Sequence, residues 1–235
     1  LLRARRKRRP GRRSIMCRMS SSERLRVNEI FHSVQGEGTR AGVRSVFVRL
    51  TGCHLRCAWC DTTYAFNEGE WLSVDDVLQR VRAFACPTVE VTGGEPLLQL
   101  GVYPLMSRLA DEFATVLLET SGAVSIAEVD PRAVRIVDVK CPGSGEVERN
   151  HWPNIELLTP RDEVKFVLSD RGDYDWTRDV LRRYGLPARC PVIFSPVHGK
   201  LPPAELARWI LDDRLDVRLG LQLHKLIWPA ETRGV

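Results

Sequence analysis

Cys53, Cys57 and Cys60 stand in the spacing C-x3-C-x2-C on one short stretch of chain, so three soft thiolates can converge on one centre. Three is the informative number. An iron-sulfur cube held by three cysteines leaves one iron without a protein ligand, open for a small molecule to chelate. A structural zinc site asks for a fourth ligand, and His54 adjoins Cys53 instead of standing at the usual spacing from a cysteine pair. A redox pair at the x2 spacing would leave Cys53 unexplained. The other cysteines, Cys17, Cys86, Cys141 and Cys190, are scattered, and the total of seven is odd. With no secretory signal recognisable, a disulfide framework is not expected and a reducing cytoplasm is. Cys86, Cys141 and Cys190 read as small buried apolar groups.

The elements that must position this loop follow from hydrophobic period. Short β-branched runs at 45–51, 88–92, 115–120, 135–139, 162–168, 192–195 and 217–223 read as strands, and segments at 73–85, 97–113, 173–184 and 203–213 read as helices. Ser73 suits an N-cap, with Asp75 and Asp76 in the first turn. Alternation of this kind implies βαβ units and a mainly parallel sheet or barrel. Five polar or glycine-rich tokens then fall at C-terminal strand ends: Thr51-Gly52-Cys53, Gly93-Gly94-Glu95-Pro96, Glu119-Thr120-Ser121-Gly122, Asp138-Val139-Lys140 and Ser195-Pro196-Val197-His198. Ligand sites of parallel α/β proteins assemble on that edge. Turn chemistry accounts for the glycines there but not for a glutamate, a lysine and three cysteines.

The chain's 235 residues suit one α/β domain or at most two small ones, and 43% hydrophobic content with no apolar run of the ~18 residues that span a bilayer excludes a helical membrane protein. The net charge of +5 is local: residues 1–22 hold nine Lys or Arg and no acid, leaving 26 basic against 30 acidic residues in the remainder. Residues 1–22 are therefore expected to be a basic disordered tail, appended or translated upstream of Met16 or Met19, and 23–235 the folded domain. The alternative for the tail is an arm on nucleic acid. No internal repeat is evident.

The cysteine spacing after a strand, the aromatic just before the last cysteine and the later Gly-Gly-Glu-Pro turn together resemble the radical S-adenosylmethionine (SAM) enzymes. Without the cysteine loop, that turn would read as an ordinary strand-to-helix connection with Pro96 at helix N1. The resemblance implies an α/β incomplete (partial) TIM-type barrel of parallel strands. It implies a [4Fe-4S] cluster on Cys53, Cys57 and Cys60, with SAM chelating the open iron and cleaved on one-electron reduction to methionine and a 5′-deoxyadenosyl radical. It sets Gly93, Gly94 and Glu95 at the methionine end of SAM and Trp59 with Asp61 near the adenine.

The segment from Glu29 to Gly38, Glu-Ile-Phe-His-Ser-Val-Gln-Gly-Glu-Gly, narrows the family. With Phe47-Val48-Arg49, Cys60-Asp61-Thr62, Asp138-Val139-Lys140, Ser195-Pro196-Val197-His198 and Gln222-Leu223-His224-Lys225, it resembles the 7-carboxy-7-deazaguanine synthases of queuosine precursor biosynthesis over nearly all of 25–235. The cysteine spacing itself gives no proof of subfamily. The resemblance implies ring contraction of 6-carboxy-5,6,7,8-tetrahydropterin with loss of ammonia, begun by removal of the C6 hydrogen, with SAM regenerated. It sets Val34, Gln35, Gly36, Glu37, Arg49 and Thr92 around the pterin, Thr62 on Mg2+, and Asp138, Val139, Lys140, Ser195, Pro196, Val197 and His198 on SAM. Those residue types suit such a ligand, because Gln35, Glu37 and the Gly36 backbone can pair with a pterin edge, and Arg49 can take a carboxylate as a fork. Mg2+ prefers oxygen ligands and keeps waters, so one Thr ligand is sufficient from the protein. The resemblance also implies a homodimer in the cytoplasm and an external, flavodoxin-like electron donor; membrane and nucleic acid are not expected partners.

Bland readings stand beside each motif. Gln35 to Gly38 can be a plain turn, Arg49 the polar face of a half-buried strand, Thr62 a capping residue and His198 a satisfied turn histidine. The rival function within radical chemistry is an activating enzyme that takes hydrogen from a glycine of a partner protein. Outside it stand a non-catalytic electron-transfer or zinc module and an RNA-binding protein using the basic tail. No role is assigned to 228–235.

Overall fold

The computed structural model describes residues 24–229 and 232–235; the basic segment 1–22 lies outside them. β1 (Arg24–Val34), β2 (Arg44–Leu50) and β3 (Glu70–Ser73) precede α1 (Val74–Arg82), β4 (Thr88–Gly93) and α2 (Val102–Glu112). Then come β5 (Thr115–Thr120), β6 (Val134–Asp138), β7 (Glu163–Leu168), α3 (Arg171–Tyr184), β8 (Val192–Pro196), α4 (Pro203–Asp212), β9 (Arg218–Leu219) and α5 (His224–Ile227). They form one sheet in the order β3-β1-β2-β4-β5-β6-β7-β8-β9. From β2 to β9 every neighbouring pair is parallel, whereas β1 is antiparallel to both β2 and β3. Because β3 and β9 do not pair with each other, the sheet stays open, as an incomplete barrel requires.

Each strand has two faces with different fates. Val46, Val48 and Leu50 of β2, Val89 and Val91 of β4, Val164, Phe166 and Leu168 of β7 and Val192 and Phe194 of β8 join the main core. That core also takes Val77, Leu78 and Val81 of α1 and Val102, Leu105, Met106 and Leu109 of α2. The alternate residues, Phe47 and Arg49, Glu90 and Thr92, Glu119, Asp138, Lys165 and Ile193, turn to the other side and line a cavity. The period of two thus separates a dry layer under the helices from a polar interior.

Ser73 is the N-cap of α1, its hydroxyl accepting from Asp76 N–H (3.0 Å) while its own N–H donates to the Asp76 carboxylate (3.2 Å). Such a capping box contributes about 1 kcal/mol. The expected helix at 97–113 begins only at Val102, after a separate turn of 3-10 helix at Pro96–Leu98. The expected strand at 217–223 shrinks to Arg218–Leu219, because Leu223 N–H leaves the sheet to donate to Gly36 O (2.9 Å). β1 and β3 are additions to the sequence reading; polar interruptions in one and the four-residue length of the other hide them.

Candidate active site

The cysteine loop leaves β2 under backbone control. Gly52 N–H donates to Ala65 O (2.8 Å) and Gly52 O accepts from Glu95 N–H (2.8 Å), tying the loop to its own far end and to the exit of β4. The Gly93-Gly94 pair permits this approach: a Cβ at 93 would strike the Leu50 backbone, and one at 94 the Gly52 carbonyl and Cys53. Gly93 also has φ +149°, open to glycine and strained for other residues. From the other side, the turn after β6 props the loop, with Ala58 N–H donating to Ser144 O (3.0 Å) and Arg56 N–H to a Glu146 carboxylate oxygen (2.5 Å). Fully buried Leu55 directs its N–H at Cys53 Sγ (3.4 Å).

Cys53, Cys57 and Cys60 are free, partly buried thiols that face one cavity of about 720 Å³. Burial pushes the Cys53 and Cys57 thiols above their ordinary range, so a cationic centre is needed to hold them as thiolates. Among the described residues no three His, Cys, Asp or Glu side chains gather tightly enough for a single metal ion. A four-iron cluster asks something else, one thiolate on each of three irons, and the loop fits that demand better than it fits a closed zinc site.

The cavity wall is a network of charges. Lys165 Nζ lies 2.8 Å from a Glu37 oxygen, 2.5 Å from a Glu119 oxygen and 3.9 Å from Asp138 Oδ2. Burial works against the ammonium, but Glu119 and Glu37 raise its pKa well above the ordinary value. Burial likewise opposes the Glu119 carboxylate, and Lys165 overrides it to lower that pKa. Glu90 goes the other way, raised well above the usual carboxylate range by burial first and by the Glu119 charge second. Lys140 Nζ pairs with Asp138 Oδ2 (2.9 Å), while buried Asp138 Oδ1 has no partner among the described residues. An unpaired acceptor on the cavity wall fits a ligand bearing hydroxyl or ammonium donors.

The Gln35 to Glu37 turn enters from the end of the sheet opposite the cysteines, since β1 runs antiparallel to β2 and Val34 pairs with Arg44. Gln35 Oε1 accepts from Glu37 N–H (3.0 Å), its amide donates to Glu90, and Glu37 Oε1 accepts from Gln222 (2.8 Å). Gly36 lies so close to the His224 ring that a Cβ would collide with it. A bulge between Val27 and Glu29 turns Glu29 toward Arg49, whose Nε donates to Glu29 Oε1 (2.7 Å); Tyr64 OH donates to the same oxygen (3.0 Å). The remaining Arg49 nitrogens have no hydrogen bond among the described residues. Thr62 Oγ1 donates to Asp61 Oδ1 (2.9 Å), and Asp61 Oδ2 lies 2.5 Å from Lys225 Nζ. Burial raises the Asp61 pKa, but Lys225 and the hydrogen bonds outweigh it and hold the carboxyl at about 2.

Most residues nominated from sequence meet here. Val34, Gln35, Gly36, Glu37, Arg49, the three cysteines, Trp59, Asp61, Thr62, Thr92, Gly93, Gly94, Asp138, Lys140, Val197 and His198 line the cavity. Glu95, Val139, Ser195 and Pro196 lie behind it, buried in the strand ends. The Glu95 carboxylate is consumed in bracing β4 to β5, accepting from Leu97 N–H, Thr120 Oγ1 and Ser121 N–H. Sequence reasoning missed Glu90, Lys165, Tyr64 and Glu146, and gave Glu119, Gln222, His224 and Lys225 no role. A charge inside an apolar strand was the available signal for Glu90 in Thr-Val-Glu-Val-Thr and Lys165 in Glu-Val-Lys-Phe-Val-Leu. Thr232 to Val235, also unassigned, lines the cavity too, and the Arg233 guanidinium lies 3.8 Å from the centre of the Tyr64 ring.

Residues 47–206 match the model of the radical SAM superfamily. The chain is 47% identical over 220 residues to 7-carboxy-7-deazaguanine synthase of Chlorobaculum tepidum, covering 92% of this chain and 100% of the relative. It is 47% identical over 226 residues to the enzyme of the same name from Koribacter versatilis, covering 90% and 100%. QueE from Escherichia coli has a similar fold, with a TM-score of 0.67 at 24% identity over 85% of this chain and 94% of that one.

Proposed function

The chain belongs to the 7-carboxy-7-deazaguanine synthase family of the radical SAM superfamily, and from that membership we propose how this cavity carries out the family's ring contraction. The reaction converts 6-carboxy-5,6,7,8-tetrahydropterin to 7-carboxy-7-deazaguanine with loss of ammonia, on the path to queuosine. Family membership removes the activation of a partner protein from consideration. The observation that carries the residue assignment is continuity: the three cysteines, the free face of Arg49 and the Gln35 to Glu37 turn all border the same cavity.

Cys53, Cys57 and Cys60 hold the [4Fe-4S] cluster. Bound together and reduced, cluster and SAM supply a carbon radical able to take the C6 hydrogen of the substrate. Backbone at Gly93 and Gly94, the Asp138–Lys140 pair, and Trp59, Val197 and His198 hold SAM. Glu95, Val139, Ser195 and Pro196 act from behind, fixing the strand ends that carry those groups. Arg49, with Nε committed to Glu29, presents its terminal nitrogens to the substrate carboxylate, and Thr92 faces the ring from the neighbouring strand. Val34, Gln35, Gly36 and Glu37 close the deep end, supported by Lys165 and Gln222. Thr62, its hydroxyl oriented by Asp61, would supply one oxygen ligand to Mg2+, an ion that favours oxygen donors. No side chain serves as nucleophile; the protein orients the ring and excludes water from a reactive species.

A flavodoxin-like donor, a homodimer and a cytoplasmic setting complete the reading, on the strength of the family resemblance. No helix among the described residues is long and apolar enough to cross a membrane. The test is an anaerobic assay of iron-reconstituted protein with SAM, reductant, Mg2+ and the carboxytetrahydropterin, following product by mass. Formation of 7-carboxy-7-deazaguanine is expected. Cleavage of SAM without that product would show the substrate assignment to be wrong.

A further inference from the structure

Five acidic side chains line the cavity, and four of them are matched to a cation: Glu37 and Glu119 to Lys165, Asp61 to Lys225, and Asp138 to Lys140. The fifth, Glu90, is in no ion pair among the described residues. It is 2% exposed, yet the one hydrogen bond to its carboxyl group there is from the Gln35 amide to Oε2, and Oε1 has no partner. Gln35 is itself fixed at its other end by Glu37 N–H. A buried carboxyl on a cavity wall, held in one orientation and short of donors, is a recognition group awaiting a ligand.

Its position says which part of the ligand it meets. Arg49 and Thr92 are register partners across β2 and β4, and Phe47 and Glu90 are the pair two residues deeper on the same face. Two residues of strand span about 6.6 Å, the scale of a fused bicyclic ring. The Phe31 and Phe47 rings, stacked 5.0 Å apart, give that stretch a flat apolar wall. A ring whose carboxylate is on Arg49 therefore carries its far edge to Glu90. In a pterin that edge is the 2-amino-4-oxo pyrimidine, whose N3–H and 2-amino N–H point the same way, so both can donate to one carboxyl group and favour the ionised form that burial alone disfavours.

We infer that Glu90 is a substrate-specificity residue, its carboxylate taking the paired N3–H and 2-amino donors of the pterin's pyrimidine edge. The inference rests on the pterin reading above and adds the group that selects the amino-bearing ring. It does not require catalysis to be tested. Cluster-loaded protein is titrated with 6-carboxypterin and with 6-carboxylumazine, which bears oxygen in place of the 2-amino group, and dissociation constants are read by fluorescence or calorimetry.

Wild-type protein prefers the pterin by about ten- to a hundredfold, the cost of setting an oxygen against a buried carboxyl oxygen. The isosteric Glu90→Gln weakens pterin binding by a similar factor and narrows or reverses the preference, since its amide N–H can donate to the lumazine oxygen. Glu90→Val weakens both ligands and discriminates little. Circular dichroism and iron content checked on each variant separate a folding defect from a recognition defect. Equal pterin affinity in wild type and Glu90→Gln, or an unchanged preference between the two rings, overturns the assignment of Glu90 while leaving the pterin reading intact. Failure of wild-type protein to bind 6-carboxypterin at all overturns both.

Discussion

At the cysteine end of the cavity, position is set by backbone: glycines at 52, 93 and 94, and peptide N–H groups of Arg56 and Ala58 docked on the turn after β6. At the deep end, position is set by side chains, with buried Lys165 between half-buried Glu37 and Glu119, and buried Gln35 between Glu90 and Glu37. The first construction is indifferent to which ring lies below it, and suits a cofactor shared across a superfamily. The second is specific in hydrogen-bond polarity and charge, and suits one substrate. Damage to either end should therefore leave the other end's binding function in place.

The most severe break is Cys57→Ala, which removes one of the three thiolates. Iron and sulfide content should collapse and SAM cleavage fall below detection, while the thermal unfolding of the apoprotein changes little. Lys165→Met is the corresponding break at the deep end. It leaves half-buried Glu37 and Glu119 without their shared cation, so stability should fall by about 1–3 kcal/mol in chemical denaturation. Pterin affinity should fall with it, and SAM affinity should not.

Arg49→Lys sharpens the contrast with less damage to the fold. A lysine keeps the charge but loses the fork, so KM for the pterin should rise about ten- to a hundredfold while the cluster's absorbance and SAM binding stay at wild-type levels. Glu146→Ala is the mildest test, at the cofactor end. It frees only the Arg56 N–H, worth about 1–2 kcal/mol, so reconstituted iron per chain should drop severalfold at limiting iron and pterin affinity remain unchanged. A loss of pterin affinity in Glu146→Ala equal to the loss of iron would show that the two ends are not separable.

The two ends also differ in how far they are legible in one dimension. The cofactor end lies on strand exits, where a short spacing of cysteines and a run of glycines are visible along the chain, and the helix start at Ser73 is legible for the same local reason. The deep end is made by alternation across different strands. Glu90, Glu119 and Lys165 become neighbours only when β4, β5, β6 and β7 lie side by side, so no spacing along the chain announces them. Gln35 and Glu37 are legible as a motif, but nothing local shows that their turn enters from the opposite end of the sheet, because that depends on β1 being antiparallel. Glu95 shows the converse: its place in a recognisable turn nominated it as a contact, and its side chain is spent bracing two strands.

The most direct test of one cavity with two separately built ends is an anaerobic crystal structure of the cluster-loaded protein with SAM and the carboxytetrahydropterin. The open iron and SAM should lie between the Cys53–Cys60 loop and Gly93–Gly94, and the pterin below them with its carboxylate on Arg49 and its amino edge on Glu90. A pterin bound outside this cavity, or reversed within it so that its amino edge faces Arg49, would contradict the account.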